Sequence, residues 1–296
     1  MEYKVFHLKD TFPALGAADA DPTLAVYLPD NLSEMGRQAQ LRPCLLVCPG
    51  GGYVMCSQRE SEPVALNFLP EGYNVFVLTY SVAPHRFPTQ LREVAAAMEL
   101  IYANAAAWHC DTERVSIMGF SAGGHLAAHY STCFDCPQVR DIFPDSKGVQ
   151  ATVLGYPVIA ADPKVAHLGS FENLVGHSPL TAEEIETFSC HTHVTEGTPP
   201  AFLWHTAPDD CVPVMNSLLY AQALAEHGVP FALRVYPRGG HGLSTVDDQT
   251  NGPLEPPVTL AADWIPAAKQ WLRLTLGKIC RLSEFQSKAE HIYPYE

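Results

Sequence analysis

Short runs dense in Val, Leu, Ile, Phe and Tyr recur along the chain, at Tyr3–Leu8, Leu24–Leu28, Cys44–Cys48, Asn74–Tyr80, Val115–Gly119, Ala151–Val158, Ala201–His205 and Phe231–Tyr236. Several are almost unbroken in apolar residues, the pattern of strands buried on both faces. Between them, Gln90–Ala107 and Asn216–His227 carry apolar residues at helical spacing, and Gly228 stands where the second helix should stop. Strands alternating with helices predict a mainly parallel sheet covered by helices on both faces. The two earliest runs have no helix between them and are expected to form an antiparallel edge. One stretch breaks the alternation: 162–200 is polar, bears Gly and His, and contains the capping-box pattern Thr181-Ala-Glu-Glu184. It is expected to be an excursion with a short helix, and its length favours a lid or pocket wall over a plain connection. No repeat, low-complexity tract or long linker divides the chain, so one α/β domain over 1–296 is expected, and the tail Leu276–Glu296 carries no pattern that can be read.

Composition narrows the function. A chain of 296 residues with 47% hydrophobic and 17% charged residues has enough apolar material for a large core. Eighteen Lys and Arg against 32 Asp and Glu give a net charge of −14, which opposes binding to a phosphate backbone, so nucleic acid is not expected as a partner. No apolar run approaches the roughly 18 residues a membrane span needs. The opening Met1–Asp10 lacks the basic and apolar regions of a secretory signal, so a cytoplasmic location is expected. The nine cysteines are then read as thiols, and the lone Cys133-Phe-Asp-Cys136 as packing residues in place of a metal or redox pair.

Chemistry enters at Gly119-Phe-Ser-Ala-Gly123, a G-x-S-x-G pattern with a strand ending at Gly119 and an Ala-rich helix beginning at Ser121. Three fixed residues would match by chance in about one chain of this size in ten, so the setting carries the argument. A nucleophile held on a sharp strand-to-helix turn needs small neighbours, and the helix start offers backbone N–H groups to a developing oxyanion. A second glycine cluster, Pro49-Gly-Gly-Gly-Tyr53, follows the third run and can turn amides toward a bound oxygen, or serve as a flexible turn before a helix. After the run ending at His205 come Asp209 and Asp210, at the strand end where open α/β sheets place ligands. After the last run comes His241, framed by Gly240 and Gly242. The order Ser121, Asp209, His241 is the chain order of the α/β-hydrolase triad, with Asp210 as the fallback acid.

With CPGGGY at Cys48–Tyr53, NVFVLTYSVAP at Asn74–Pro84, GFSAGGHLAA at Gly119–Ala128, LGYPVI at Leu154–Ile159, Thr198–Val214 and GGHGLS at Gly239–Ser244, the chain resembles the α/β-hydrolase superfamily. Within it, the chain is most similar to the esterase and lipase branch with an HGGG-type oxyanion loop, in the acetyl esterase and acetylxylan esterase-like group that also holds promiscuous feruloyl esterases. The resemblance implies Ser121 as nucleophile, His241 as general base and Asp209 as the orienting acid. It also implies oxyanion donors from the backbone of Ala122 and of Gly51 and Gly52, with Tyr53 at the pocket rim. One departure is Pro49, which stands where many such proteins carry the His of HGGG. No metal or organic cofactor is expected, and His191-Thr-His193 is read as decoration, since no third ligand accompanies it.

The implied activity is deacetylation of short-chain acyl esters on carbohydrate such as xylo-oligosaccharide, with the substrate a small-molecule ester or an acetylated oligosaccharide. A general small-molecule carboxylesterase without sugar recognition is the rival, and a lipase is disfavoured by the polar character of 162–200. A prolyl-oligopeptidase-type peptidase would need room for a propeller. A non-catalytic binding protein on this fold would show a degenerate triad. Relatives often dimerise, so a homodimer is an expectation. Trp108, Trp204, Trp264 and Trp271 are read as packing residues, with a sugar subsite as the alternative.

Overall fold

The computed structural model describes residues 1–15 and 19–277. Eight strands form one sheet: β1 (Glu2–His7), β2 (Thr23–Leu28), β3 (Arg42–Cys48), β4 (Asn74–Thr79), β5 (Cys110–Phe120), β6 (Ala151–Gly155), β7 (Ala201–Thr206) and β8 (Phe231–Tyr236), in spatial order β1-β2-β4-β3-β5-β6-β7-β8. The expected antiparallel edge is present, with β1 against β2; β2 also runs antiparallel to β4, and every later pairing is parallel. This is the architecture of the α/β hydrolases.

Burial explains the run pattern. Every residue of β3, β6 and β7 is buried, whereas β1 and β8 at the two edges are largely exposed. Strand period two sorts the side chains into two cores. Cys44, Leu46 and Cys48 join Val115 and Ile117 beneath the helices Thr89–Ala103, Ser121–Cys133 and Met215–Glu226. Leu45 and Val47 join Met118 and Phe120 on the opposite face, beneath the helices Glu62–Phe68 and Trp264–Leu276. The last helix presents Trp264, Ile265, Ala268 and Leu272 to the core at helical spacing.

Two strand boundaries differ from the apolar runs. β5 starts at Cys110 because that residue pairs with Arg42 across a bulge, although the residues between are polar. β6 stops at Gly155 because Tyr156 takes φ 35°, a turn away from the sheet. The excursion holds two α-helices, Leu168–Val175 and Ala182–Phe188, and a 3-10 turn at Cys190–His193. Thr181 and Glu184 form the expected capping box. Phe171, Leu174, Phe188 and Cys190 are buried in the first core, so the excursion is packed into the body of the protein. The tail after Gly277 lies outside the described residues, and among those described no helix is long and apolar enough to cross a membrane.

The register brings Cys48 beside Gly119, Phe120 beside Gly155, and Thr206 beside Tyr236, so the segments that follow β3, β5, β6, β7 and β8 leave the sheet along one edge. There the chain is closely packed: a Cβ on Gly123 would lie 2.2 Å from the Cys48 carbonyl oxygen and 2.3 Å from that of Pro49. Both obstacles are backbone. Gly123→Ala is therefore expected to destabilise the protein by at least about 1–3 kcal/mol, read as a lowered urea midpoint with an unchanged slope.

Candidate active site

Ser121 lies directly after β5, at the first position of its helix, with φ 52°. A non-glycine residue in this conformation is strained and persists only where its surroundings over-determine it. Here the Ser121 carbonyl accepts from the Val158 N–H at 3.0 Å, and the glycines at 119 and 123 let the turn close: a Cβ on Gly119 would meet the Gly123 oxygen at 2.1 Å. The strain aims the hydroxyl away from the sheet. Its Oγ lies 2.8 Å from His241 Nε2.

His241 reaches Ser121 from the loop after β8, and its Nδ1 lies 2.8 Å from Asp209 Oδ2. A carboxylate can only accept, so Nδ1 carries the proton of the neutral ring and Nε2 accepts from the serine hydroxyl. Asp209 is buried after β7, and its other oxygen accepts from the N–H groups of Cys211 at 3.0 Å and Val212 at 2.9 Å. His205 Nε2 stands 3.3 Å from Asp209 Oδ2 while also donating to the Val212 carbonyl at 2.9 Å. Burial favours the neutral acid, but these hydrogen bonds together with His241 outweigh it and hold the Asp209 carboxyl well below the usual range. Asp209 therefore stays ionised through the acid range. Asp210 is exposed on the same turn, and it is Asp209 that the fold brings to His241.

The glycine loop after β3 lies beside the same serine: a Cβ on Gly50 would come 3.0 Å from the Ser121 Cβ. Gly51 (φ 129°), Gly52 (φ 61°) and Tyr53 (φ 59°) have consecutive positive φ, and a Cβ on Gly51 would meet the Met55 carbonyl oxygen at 2.2 Å. The Gly50 amide is taken by Glu60, leaving Gly51 and Gly52 as the remaining glycine amides of the loop; Ala122 adds the amide at the first turn of the helix. Pro49, at the position of the HGGG histidine, offers its carbonyl to the Tyr80 hydroxyl at 2.6 Å.

Tyr53 departs from its expected place at the pocket rim. Its side chain is 1% exposed and its hydroxyl lies 2.8 Å from His125 Nδ1. His125 Nε2 in turn donates to the Phe188 carbonyl at 2.9 Å. One buried imidazole thus joins the Ser121 helix, the glycine loop and the excursion, which explains why Tyr53 points inward. The excursion reaches the loop a second time, where Asn173 Nδ2 donates to the Gly52 carbonyl at 2.9 Å. Its half-buried His167 is held by a contact of 2.8 Å between Nδ1 and Ser170 Oγ, and burial and the neighbouring His241 both lower its pKa.

None of His125, His205, His167 or Asn173 was marked by a local pattern. His205 enters the sequence reading only as the end of an apolar run. Trp204 and Trp264 are fully buried and stacked with centroids 5.1 Å apart, Trp108 packs on Phe6 and Phe76, and Trp271 on Phe202. Burial raises the thiol pKa of Cys133 to about 11 and also raises that of Cys136. His193 Nε2 lies 2.9 Å from the Glu186 carbonyl.

With this geometry in place, the chain can be set among known proteins. Its fold is that of α/β-hydrolase esterases, and the chain belongs to the BD-FAE family, whose model matches residues 24–224. It is 40% identical to endo-1,4-beta-xylanase B of Butyrivibrio fibrisolvens over 75% of this chain and 36% of that protein. It is 32% identical to an acetylxylan esterase of Xylanibacter ruminicola over 76% of this chain and 44% of that one. The chain therefore spans less than half the length of these curated relatives. Among solved structures, it is similar to an acetyl ester-xyloside bifunctional hydrolase of Caldicellulosiruptor lactoaceticus, with TM-score 0.79 and 35% identity over 92% of this chain and 96% of that one.

The buried histidines predict a fold that loses stability in acid. Burial pushes His125 down to about 4 and His129 well below its ordinary value. A neutral histidine whose folded pKa is depressed contributes stability above its unfolded pKa of about 6.5, and this is lost as pH falls toward the folded value. Urea unfolding at pH 7 and pH 5 is expected to show lower stability at pH 5, with His125→Gln reducing the difference.

Proposed function

We propose that this chain hydrolyses short-chain carboxylic esters, above all acetyl groups on carbohydrate, through an acyl-enzyme on Ser121. The observation that carries this reading is the continuous chain of hydrogen bonds from Asp209 through His241 to Ser121, 2.8 Å at each link. Ser121 Oγ attacks the ester carbonyl carbon while His241 Nε2 takes its proton. The negative charge forming on the carbonyl oxygen is met by the amides of Gly51, Gly52 and Ala122, where loss of one donor typically costs ~10²–10³ in rate. His241 then gives its proton to the departing alkoxide, which leaves as the alcohol. Water enters, loses a proton to the same nitrogen and attacks the acyl-enzyme, releasing the carboxylic acid and restoring the serine hydroxyl. Asp209 keeps the ring in the productive tautomer and favours its protonated form.

Ser121→Ala is expected to lower kcat by at least ~10⁴-fold with its melting temperature retained. Asp209→Asn should lower kcat by roughly 10⁴-fold, since the amide no longer fixes the imidazole tautomer, whereas Asp210→Asn should turn over like the parent. Steady-state hydrolysis of 4-nitrophenyl acetate reads all three.

The sugar-acetyl part of the proposal is supported by the named acetylxylan esterase and acetyl ester-xyloside hydrolase relatives. It is also supported by His167, a half-buried imidazole beside His241 whose Nδ1 is held by Ser170. Its Nε2 suits a hydroxyl of the leaving alcohol. Acetate release from acetylated xylo-oligosaccharides should match or exceed turnover of 4-nitrophenyl acetate and butyrate, and His167→Ala should slow the sugar ester more than the nitrophenyl ester. Turnover confined to the nitrophenyl esters would instead favour a general small-molecule carboxylesterase.

A further inference from the structure

One buried acid near the site has no part in the hydrogen-bond chain of Ser121. Glu60, at the end of the 3-10 turn Gln58–Glu60, is 3% exposed. Its Oε2 accepts the Gly50 N–H at 2.7 Å and its Oε1 accepts the Tyr156 hydroxyl at 2.6 Å. The Tyr156 oxygen accepts in turn from the Ser244 N–H at 2.9 Å. Ser244 lies three residues past His241, and its hydroxyl donates to the Arg59 carbonyl at 2.5 Å, while Trp264 Nε1 donates to the Ser244 carbonyl at 2.9 Å. The Tyr156 ring meets the His241 ring edge to face, with centroids 5.0 Å apart. Gly50 precedes Gly51 and Gly52, the proposed oxyanion donors, and a Cβ on it would come 3.0 Å from the Ser121 Cβ. A single carboxylate therefore connects the glycine loop to the histidine loop through a residue strained at the end of β6.

We propose that Glu60 is a positioning residue, whose buried charge holds the glycine-loop amides and His241 in register and favours the imidazolium that forms in the transition state. The inference rests on the assignment of Ser121, His241 and Asp209 above. Burial pushes the Glu60 carboxyl up, while the Tyr156 hydroxyl, the Gly50 N–H and the neighbouring His241 favour its ionised form, the form in which both oxygens accept. A mere brace does not require a charge, because buried ionic groups replaced by well-packed neutral ones often cost nothing in stability. Charge matters where another charge develops, and His241 becomes positive only as Ser121 attacks. A fixed negative group nearby then stabilises the transition state more than the ground state.

Glu60→Gln keeps the size and one acceptor but removes the charge. Its kcat for 4-nitrophenyl acetate is expected to fall about 10–100-fold with KM within about twofold. Affinity for a phenylboronic acid, which forms a tetrahedral adduct on the serine, should weaken in parallel. Should that variant fail to fold, Tyr156→Phe supplies the test, since it cuts the link to Ser244 while keeping the ring; the same kcat loss at constant KM is expected. Unchanged kcat, or a loss carried mainly by KM, would overturn the proposal. Ser121→Ala, measured alongside, separates the two readings. A dead Ser121→Ala with a fully active Glu60→Gln sinks only the role of Glu60, whereas an active Ser121→Ala sinks the acyl-enzyme.

Discussion

The site depends on how closely the turn after β5 approaches the end of β3. At Gly123 there is no room for even a methyl group between the helix start and the carbonyls of Cys48 and Pro49. Because the two segments touch there, the strained Ser121 is brought next to the loop that carries the positive-φ residues 51–53: a Cβ on Gly50 would come 3.0 Å from the Ser121 Cβ. Packing of this density allows little adjustment, so the conformational cost at Ser121 is met by contacts far larger in number than the site itself. The parallel pairing of β3 with β5 and β5 with β6 then fixes where each following segment leaves the sheet.

Three histidines close to this edge show how partners decide a role. His241 has a carboxylate on one nitrogen and a hydroxyl on the other, and it keeps some access to solvent. His125 has a tyrosine hydroxyl and a carbonyl, is fully buried and acts as a neutral strut. His205 is equally buried, between Ser217, Val212 and Asp209, and helps keep the acid ionised. Ring chemistry is the same in each case. Each ring also meets a hydroxyl, so what differs is burial: His125 and His205 are sealed in the interior, and of the three His241 alone keeps solvent access.

The excursion 162–200 is tied by hydrogen bonds to the elements that carry the candidate site. It is anchored to the Ser121 helix through Phe188 and to the glycine loop through Asn173, and it carries His167 toward His241. The relatives named for xylan chemistry are longer proteins in which this chain corresponds to only a part.

Much of the fold was legible in the linear sequence. Inner strands such as β3, β6 and β7 must be apolar on both faces and stood out for that reason, and the exposed edge strands β1 and β8 showed as β-rich runs. The helix at Ser121 and the capping box at Thr181 were visible too. Ser121 and His241 could be singled out as candidates as well, since each sits in a glycine frame that sterics demand locally. Other features depended on contacts between residues far apart in the chain. Asp209 and Asp210 are adjacent and chemically alike, and only the direction of the turn after β7 separates the buried acid from the exposed one. Tyr53 beside the glycines suggested a pocket rim, but its hydroxyl meets His125, 72 residues away, in the interior. Glu60 is one of 32 acidic residues, and no local pattern distinguishes it. Periodicity and sterics act over a few neighbours and are written along the chain, whereas burial of a polar group is set by whichever distant donors the closed sheet brings to it.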